Sequence, residues 1–262
     1  MIAWETRDGV AELTLAHRPA NEIGTEVLDA LERFLDAVEA ERPRAVLVRS
    51  GLDKGFCAGA DLRELHAGIE GRDYDSYRPE LARFLDRIHG VMDRLDTLPC
   101  TTVGAIHGLC FGGGFELALA LDVLVADATA RFCFPELRLG IIPGFGGIPR
   151  LKRELGNAVV RDLIMSGRSI NAKKASALGL VSQVVGRGQA LEVARQVAAQ
   201  AARFAPEVQA RAKGFIKDVP VEALREEKRI FLEMFQDPRV VEALGRFVRS
   251  DDPMPYLPGE KA

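Results

Sequence analysis

Residues 108–117 read Gly108-Leu109-Cys110-Phe111-Gly112-Gly113-Gly114-Phe115-Glu116-Leu117. A strand-like run from Thr101 to Ile106 precedes this stretch, and an apolar, helix-like run follows it from Glu116 to Leu121. Three consecutive glycines at this point leave backbone N–H groups unpaired at a helix N-terminus, where the helix dipole adds partial positive charge. The stretch therefore predicts a site for an oxyanion or a phosphate. The simpler alternative is a tight strand-to-helix turn.

Two further segments are richer in glycine than core packing requires, namely 56–62 (Phe56-Cys57-Ala58-Gly59-Ala60-Asp61-Leu62) and 140–147. None of the three segments contains Gly-x-Gly-x-x-Gly or Gly-x-x-x-x-Gly-Lys-Ser/Thr, which argues against a Rossmann or P-loop protein. His-Glu-x-x-His and Gly-x-Ser-x-Gly are also missing from the sequence, and its four histidines are scattered. The sequence thus gives no support to a zinc site or a serine hydrolase.

Two glutamates stand in apolar surroundings. Glu116 lies at the start of the apolar run, and Glu136 follows Phe134-Pro135. A carboxylate that is buried without a cation has a raised pKa, which brings it into the range where it can exchange protons at neutral pH. The alternatives are a helix N-terminal acid for Glu116 and a surface loop acid for Glu136.

The chain has 262 residues, of which 47% are apolar and 28% charged, so we expect one large domain with an appendage. The hydrophobic pattern predicts a β-hairpin around Asp8-Gly9, a helix over 25–39, a buried strand from Ala45 to Val48 and a surface loop over 63–78. Beyond Gly188 the composition becomes helical. We therefore divide the chain into a catalytic domain over 1–188 and a helical region over 189–262. The helices predicted in that region cover 189–204, 206–217, 221–235 and 239–248.

Net charge, apolar runs and cysteine spacing predict the partners and the location of the protein. The net charge is −3 with no basic block, so we expect no nucleic-acid partner. The N-terminus lacks a secretory signal, and no apolar run reaches the ~18 residues of a membrane helix, so we expect no membrane partner and a cytoplasmic location. The four cysteines form no Cys-x-x-Cys pair, and we expect them to be buried, reduced thiols.

The three glycine-rich segments together carry a resemblance. In their order, and with Phe134-Pro135-Glu136-Leu137 before the third, they are similar to the signatures of the enoyl-CoA hydratase/isomerase (crotonase) superfamily. The resemblance covers nearly the whole chain. It implies an α/β fold, a spiral of β-β-α turns that forms two roughly perpendicular sheets. It also implies a C-terminal helical region that packs trimers, often paired into hexamers.

The resemblance also implies an activity, the syn addition of water to a 2-enoyl thioester. It assigns the N–H groups of Ala60 and Gly113 to the oxyanion hole for the thioester carbonyl, and Glu116 and Glu136 to the two catalytic carboxyl groups. Hydration needs a base and an acid. We assign Glu116 to the base that activates water and Glu136 to the acid that protonates the α-carbon, and the reverse division stays open because both can hydrogen-bond the same water. No metal and no cofactor beyond the coenzyme A of the substrate are implied. It further places at substrate-binding positions Ala58, Asp61, Leu62, Gly112, Pro143 and Gly144.

One departure from the family pattern leaves open which molecule carries the acyl group as a thioester. Many relatives are basic where this chain has Ser250-Asp251-Asp252-Pro253, so an acyl carrier protein stays an alternative to coenzyme A. Arg63, Arg72 and Arg78 are the candidates for contacts with the carrier phosphates. Hydration of a branched or dicarboxylic acyl thioester of the methylglutaconyl type, and isomerase or hydrolase activity, stay open as well.

Overall fold

A computed structural model describes residues 2–250. Asp251, Asp252 and Pro253, which stand where many relatives are basic, lie outside the described residues. The strands are β1 Ala3–Arg7, β2 Val10–Leu15, β3 Ala45–Ser50, β4 Gly55–Cys57, β5 Thr101–Ile106, β6 Leu109–Phe111, β7 Val123–Asp127, β8 Arg131–Cys133, β9 Ile170–Asn171 and β10 Gln183–Val185. The helices are α1 Thr25–Glu41, α2 Leu62–Ile69, α3 Tyr74–Thr97, α4 Gly113–Ala120, α5 Gly147–Ser166, α6 Ala172–Ala177, α7 Ala190–Ala201, α8 Pro206–Ile216, α9 Val221–Met234 and α10 Pro238–Arg249.

The strands form two sheets with the orders β1-β2-β3-β5-β7-β10 and β4-β6-β8-β9. The hairpin β1–β2 and the pair β8–β9 are antiparallel, and the other neighbours are parallel. Each turn of the chain, β3–β4, β5–β6 and β7–β8, gives one strand to each sheet before the chain passes into helical structure. This arrangement confirms the predicted α/β spiral of β-β-α turns.

The central strands of the larger sheet are apolar on both faces because helices cover both sides. In β3, Ala45 and Leu47 pack against the alanines of α7, whereas Val46 and Val48 face the main core. A parallel strand that is covered on both faces needs a continuous apolar run, which is what the sequence shows at this strand.

The prediction of a surface loop over 63–78 was wrong, because helices α2 and α3 occupy this part of the chain. Asp61 caps α2 by accepting from the N–H groups of Arg63 and Glu64, and Asp73 caps α3 through the N–H of Ser76. Their polar residues face solvent, and only a narrow apolar face is buried. Charged side chains on the exposed face hid the helical period.

The predicted C-terminal helices are confirmed to within a few residues at each end. Helix α7 packs on β3, β5 and β7, α9 packs on α3 and α5, and α10 packs on α2. The division at residue 188 stays a prediction. All four cysteines are free and buried, as expected. Within residues 2–250, no helix has the length and apolarity needed to cross a membrane.

Candidate active site

Two unpaired backbone N–H groups lie side by side where β4 and β6 end. Ile23 bridges the first segment, donating its N–H to Gly59 O at 2.8 Å and accepting from Asp61 N at 3.0 Å. This pairing leaves out the N–H of Ala60 between them. Gly113 begins α4, so its N–H has no acceptor within the helix. In the part of the chain that the structure describes, neither N–H donates to a protein acceptor.

Glycines allow the two segments to approach each other. A Cβ atom placed on Gly113 would lie 3.4 Å from Ala60 N, and one placed on Gly59 would lie 3.5 Å from Gly113 N. Gly112 has a φ of +48°, and a Cβ there would lie 2.8 Å from Glu136 Oε1. The left-handed backbone and the close approach of this carboxyl group both require glycine at 112. The geometry therefore brings Ala60, Gly113 and Glu136 together.

These groups line a central cavity of about 440 Å³. Of the predicted substrate-binding residues, Ala58, Leu62, Gly112 and Gly144 line it as well. Asp61 lines an adjoining side cavity of about 260 Å³, which shares Ala60, Leu65, Phe145 and Phe231 with the central one. Pro143 is buried and lies outside the lining of both cavities.

Helix α4 carries Glu116 into the central cavity, with only 2% of the residue exposed. Its Oε1 accepts hydrogen bonds from Phe145 N and Gly147 N, each at 2.8 Å. Burial raises the pKa of Glu116 to about 7, although these two N–H groups and the Arg150 guanidinium favour the ionised form. Glu116 can therefore exchange a proton near neutral pH.

Glu136 opens a single 3₁₀ turn, Glu136–Leu139, that follows β8. Its Oε2 is buried and has no hydrogen-bond partner among the described residues. Burial raises the pKa of Glu136 well above its ordinary value, and the nearby carboxyl groups of Glu116 and Glu227 raise it further. Glu116 accepts from two N–H groups, whereas Glu136 Oε2 has no described partner, so Glu116 is the more readily ionised of the two.

The sequence analysis missed a third buried carboxyl group, that of Glu227 in α9. Its Oε1 accepts from Gly146 N at 2.7 Å and its Oε2 from Ile148 N at 2.8 Å. A signal was present in the sequence, since Glu227 lies three residues after Leu224 and four before Phe231, on the apolar face of the helix. The acidic and basic residues around it, 225–229, hid that position.

The structure brings one of the three candidate arginines to the cavity. Arg63 lines it together with Lys54, and its guanidinium lies 6.0 Å from the centre of the Phe247 ring. Arg72 instead forms an ion pair with Glu80 at 2.7 Å, and Arg78 lines neither the central nor the side cavity.

Comparison with known proteins identifies a family and a set of relatives. Residues 5–253 match the family described as enoyl-CoA hydratase/isomerase. A protein of Rhizobium meliloti named "Probable enoyl-CoA hydratase" is 35% identical over 250 residues, which cover 93% of each chain. The rat mitochondrial methylglutaconyl-CoA hydratase is 37% identical over 189 residues, 71% of this chain and 58% of that one. The crystal structure of an enoyl-CoA hydratase/isomerase from Xanthobacter autotrophicus Py2 superposes with a TM-score of 0.84 at 27% identity and covers 95% of this chain and 93% of that chain.

The raised pKa of Glu116 predicts a specific dependence of stability on pH. The pKa is about 7 in the folded chain and lower in the unfolded chain. The contribution of Glu116 to stability is therefore fully present below the unfolded pKa and is lost as the pH rises through 7. We expect the free energy of unfolding of the wild type, minus that of Glu116→Gln, to fall by on the order of 2 kcal/mol between pH 5 and pH 8. Urea denaturation of both proteins at the two pH values measures it, and an equal difference at both would contradict the raised pKa.

Proposed function

The chain belongs to the enoyl-CoA hydratase/isomerase family, and we propose that it adds water across the 2,3 double bond of 2-enoyl-CoA thioesters. The observation that carries this proposal is the arrangement of the central cavity. Two unpaired N–H groups lie at one wall, together with two carboxyl groups of different proton affinity. An isomerase needs a single group that moves one proton, whereas hydration needs a base and an acid together, which favours hydration here.

The N–H groups of Ala60 and Gly113 form the proposed oxyanion hole. When water adds to the β-carbon, the π electrons of the double bond move toward the thioester carbonyl, and its oxygen becomes an enolate. Two aimed N–H groups in a cavity that excludes bulk water stabilise this charge without reorganisation, and each is worth roughly 10²–10³ in rate in known oxyanion holes.

The two carboxyl groups move the protons. Ionised Glu116 accepts a proton from water as the oxygen–carbon bond to the β-carbon forms, and protonated Glu136 donates its proton to the α-carbon as the enolate collapses. Attack and protonation take place on the cavity side of the substrate, which gives syn addition. The contacts of Glu116 with two N–H groups support its role as the base, and the raised pKa of Glu136 supports its role as the acid. This chemistry requires no metal and no cofactor besides the substrate thioester.

Coenzyme A is the proposed carrier. Lys54 and Arg63 line the central cavity, where they can contact phosphate oxygens of a nucleotide. Glu22 lines the same cavity and lies 3.4 Å from the guanidinium of Arg63, whose side chain is more than half exposed. Lys54 and Arg63 are therefore the proposed contacts of the carrier phosphates, in place of the three arginines expected from the sequence, Arg63, Arg72 and Arg78.

The side cavity is the proposed place for the end of the acyl chain, because it shares Ala60 of the oxyanion hole with the central cavity and is not lined by Lys54. Its apolar lining includes Ile69, Leu81 and Leu85. The charged residues among the described lining are all acidic, namely Asp61, Glu64 and Glu80. Arg72 neutralises Glu80, so the negative charge of the cavity comes from Asp61 and Glu64. Such a cavity fits a neutral acyl chain and repels a second carboxylate. This argues against a dicarboxylic substrate of the methylglutaconyl type.

A homotrimer, alone or paired into a hexamer, is the proposed assembly. No residue of α8 is buried. Val208 and Phe215 fall on one side of this helix, seven residues apart, and Phe215 is 92% exposed. Phe204, just before the helix, is also exposed. Contact with a second copy of the chain would cover this apolar stripe.

Deleting the N–H group of Gly113 tests the oxyanion hole. Proline is compatible with the first position of a helix, so Gly113→Pro removes the N–H while α4 can form. Gly113→Ala is the matched control, because it adds the same Cβ atom near the Phe145 ring and keeps the N–H. With crotonyl-CoA, we expect Gly113→Pro to be at least about 10² slower in kcat than Gly113→Ala. Equal activity of the two variants would exclude this N–H from the reaction.

The charge of the side cavity predicts a preference between two substrates of equal length. We expect kcat/KM for 2-pentenoyl-CoA to exceed that for glutaconyl-CoA, which ends in a carboxylate, by at least about tenfold. The Glu64→Gln variant should narrow this ratio of kcat/KM values, because it removes one negative charge from the side cavity. Its amide oxygen can still accept from Thr25 N, so this contact is kept. An enzyme that prefers glutaconyl-CoA would refute the proposed acyl specificity.

The apolar stripe of α8 predicts the effect of one substitution on assembly. Phe215→Asp should lower the molar mass measured by light scattering to that of a smaller species, because burying an unpaired carboxylate in an interface is unfavourable. Ala3→Asp adds the same charge on the exposed strand β1 and should leave the mass unchanged. A wild-type chain that is monomeric, or a Phe215→Asp variant of unaltered mass, would exclude the stripe as an interface.

A further inference from the structure

Four successive backbone N–H groups, those of residues 145–148, are divided between two carboxyl groups. Phe145 and Gly147 donate to Glu116 of α4, whereas Gly146 and Ile148 donate to Glu227 of α9. The four distances lie between 2.7 and 2.8 Å. The 145–148 segment is therefore held from both sides, by one carboxyl group that lines the central cavity and by one that does not.

The contacts of Glu227 are those of an ionised carboxylate. Both of its oxygens accept from N–H groups, whereas a protonated carboxyl group needs an acceptor for its own hydrogen. The segment also forms the N-terminal end of α5, where the helix dipole favours negative charge. Burial and the neighbouring Glu116 raise the pKa of Glu227 well above its ordinary value, although the two N–H groups and the Arg150 guanidinium act in the opposite direction. The assignment of the ionised form therefore rests on the two N–H contacts.

The segment needs such a restraint because its backbone is permissive. Gly146 has a φ of +98° and is followed by Gly147. A glycine pair can rotate the peptide between them with little steric hindrance, and such a rotation would withdraw the Gly147 N–H from Glu116. The bonds from Gly146 N and Ile148 N to Glu227 fix the peptides on both sides of the Gly147 N–H.

Titratable groups reach this region from every packed element. Glu116 comes from α4, Glu136 from the 3₁₀ turn, and Arg150 from α5. From α3, His89 contacts Gly144 O at 2.8 Å, and Asp93 and Asp96 pair with Arg150 at 2.6 and 2.9 Å. On α9 itself, Glu226 and Lys228 lie on the outer side and pair with Arg229 and Asp86. Arg150 is thus matched by two aspartates, and Glu227 has both Glu116 and Glu136 as neighbouring carboxyl groups.

We propose that Glu227 is a positioning residue for the hydration reaction. It holds the 145–148 segment against Glu116 and places a third carboxyl group beside the two catalytic ones. The inference rests on the proposed function. It gives helix α9 a part in the reaction besides its part in packing, since this helix sets the proton affinities in the central cavity.

The pH profile of Glu227→Gln tests the charge. Removing a negative charge lowers the pKa of Glu116 and of Glu136, so both limbs of kcat/KM against pH should move to lower pH by at least about half a unit. The kcat at the optimum should fall by about tenfold or more, with KM changed by less than about threefold. The matched control, Glu226→Gln, removes one charge from the outer side of the same helix and should leave profile and kcat unchanged. Limbs that stay at the wild-type pH in Glu227→Gln would overturn the proposal.

A second variant covers the case in which Glu227→Gln does not fold. Glu227→Asp keeps the charge but is one methylene shorter and cannot reach both N–H groups. We expect both limbs of kcat/KM against pH to stay at their wild-type positions, while kcat falls by about tenfold. An unreduced kcat in Glu227→Asp would overturn the positioning role.

The inference can also be separated from the proposed function. If the wild type fails to hydrate 2-enoyl-CoA thioesters, the proposed function is wrong, and the influence of Glu227 on Glu116 is measured without turnover. The difference in free energy of unfolding between a chain with Glu116 and one with Glu116→Gln stops changing above the folded pKa of Glu116, and the pH at which it levels off should be lower in a Glu227→Gln background. An unchanged pH in that comparison would overturn the inference by itself.

Discussion

A carboxyl group that is buried near neutral pH requires compensation, and the compensation of Glu116 organises the structure around it. The compensating groups are backbone N–H groups of the 145–148 segment, not a cation in direct contact. N–H groups stabilise the ionised form only partly, so the pKa stays near 7 and the group can exchange protons. A direct ion pair would have kept Glu116 ionised and removed it from proton exchange at that pH. The cavity, the glycine-rich turn and the start of α5 all follow from this requirement.

Support for the 145–148 segment extends into a buried ionic network. Arg150 is 0% exposed, donates to Phe145 O and Gly146 O at 3.2 and 3.4 Å, and pairs with Asp96. Asp96 also pairs with Arg153 and with Lys217, which follows α8. Removing one member of such a network leaves a buried charge without a partner, which is strongly destabilising. The network therefore joins α3, α5 and the C-terminal helices below the site.

The parts of the site that could be predicted from the sequence are those set by local pattern. Three glycines before an apolar helix place Gly113 at a helix start wherever the helix packs, and a glutamate in an apolar run is recognisable as buried. The burial of β3 on both faces likewise follows from its continuous apolar run. Long-range packing decided the rest. Residues 63–78 form helices because a narrow face meets α9 and α10, as the hydrogen bond from the Tyr77 hydroxyl to Phe235 O at 2.7 Å shows. Glu227 reaches Glu116 through a loop 80 residues away in the sequence, and no local pattern reports that contact.

The proposed reaction depends on a difference in proton affinity between the two carboxyl groups of the central cavity, those of Glu116 and Glu136. Carbon-13 NMR of protein labelled at the glutamate carboxyl carbons, with Glu116→Gln and Glu136→Gln to assign the signals, measures both affinities in the free protein. We expect the signal of Glu116 to titrate near pH 7 and that of Glu136 to remain protonated through that transition. Two carboxyl groups that are both ionised below pH 6 would contradict the account, because no acid would then remain to protonate the α-carbon.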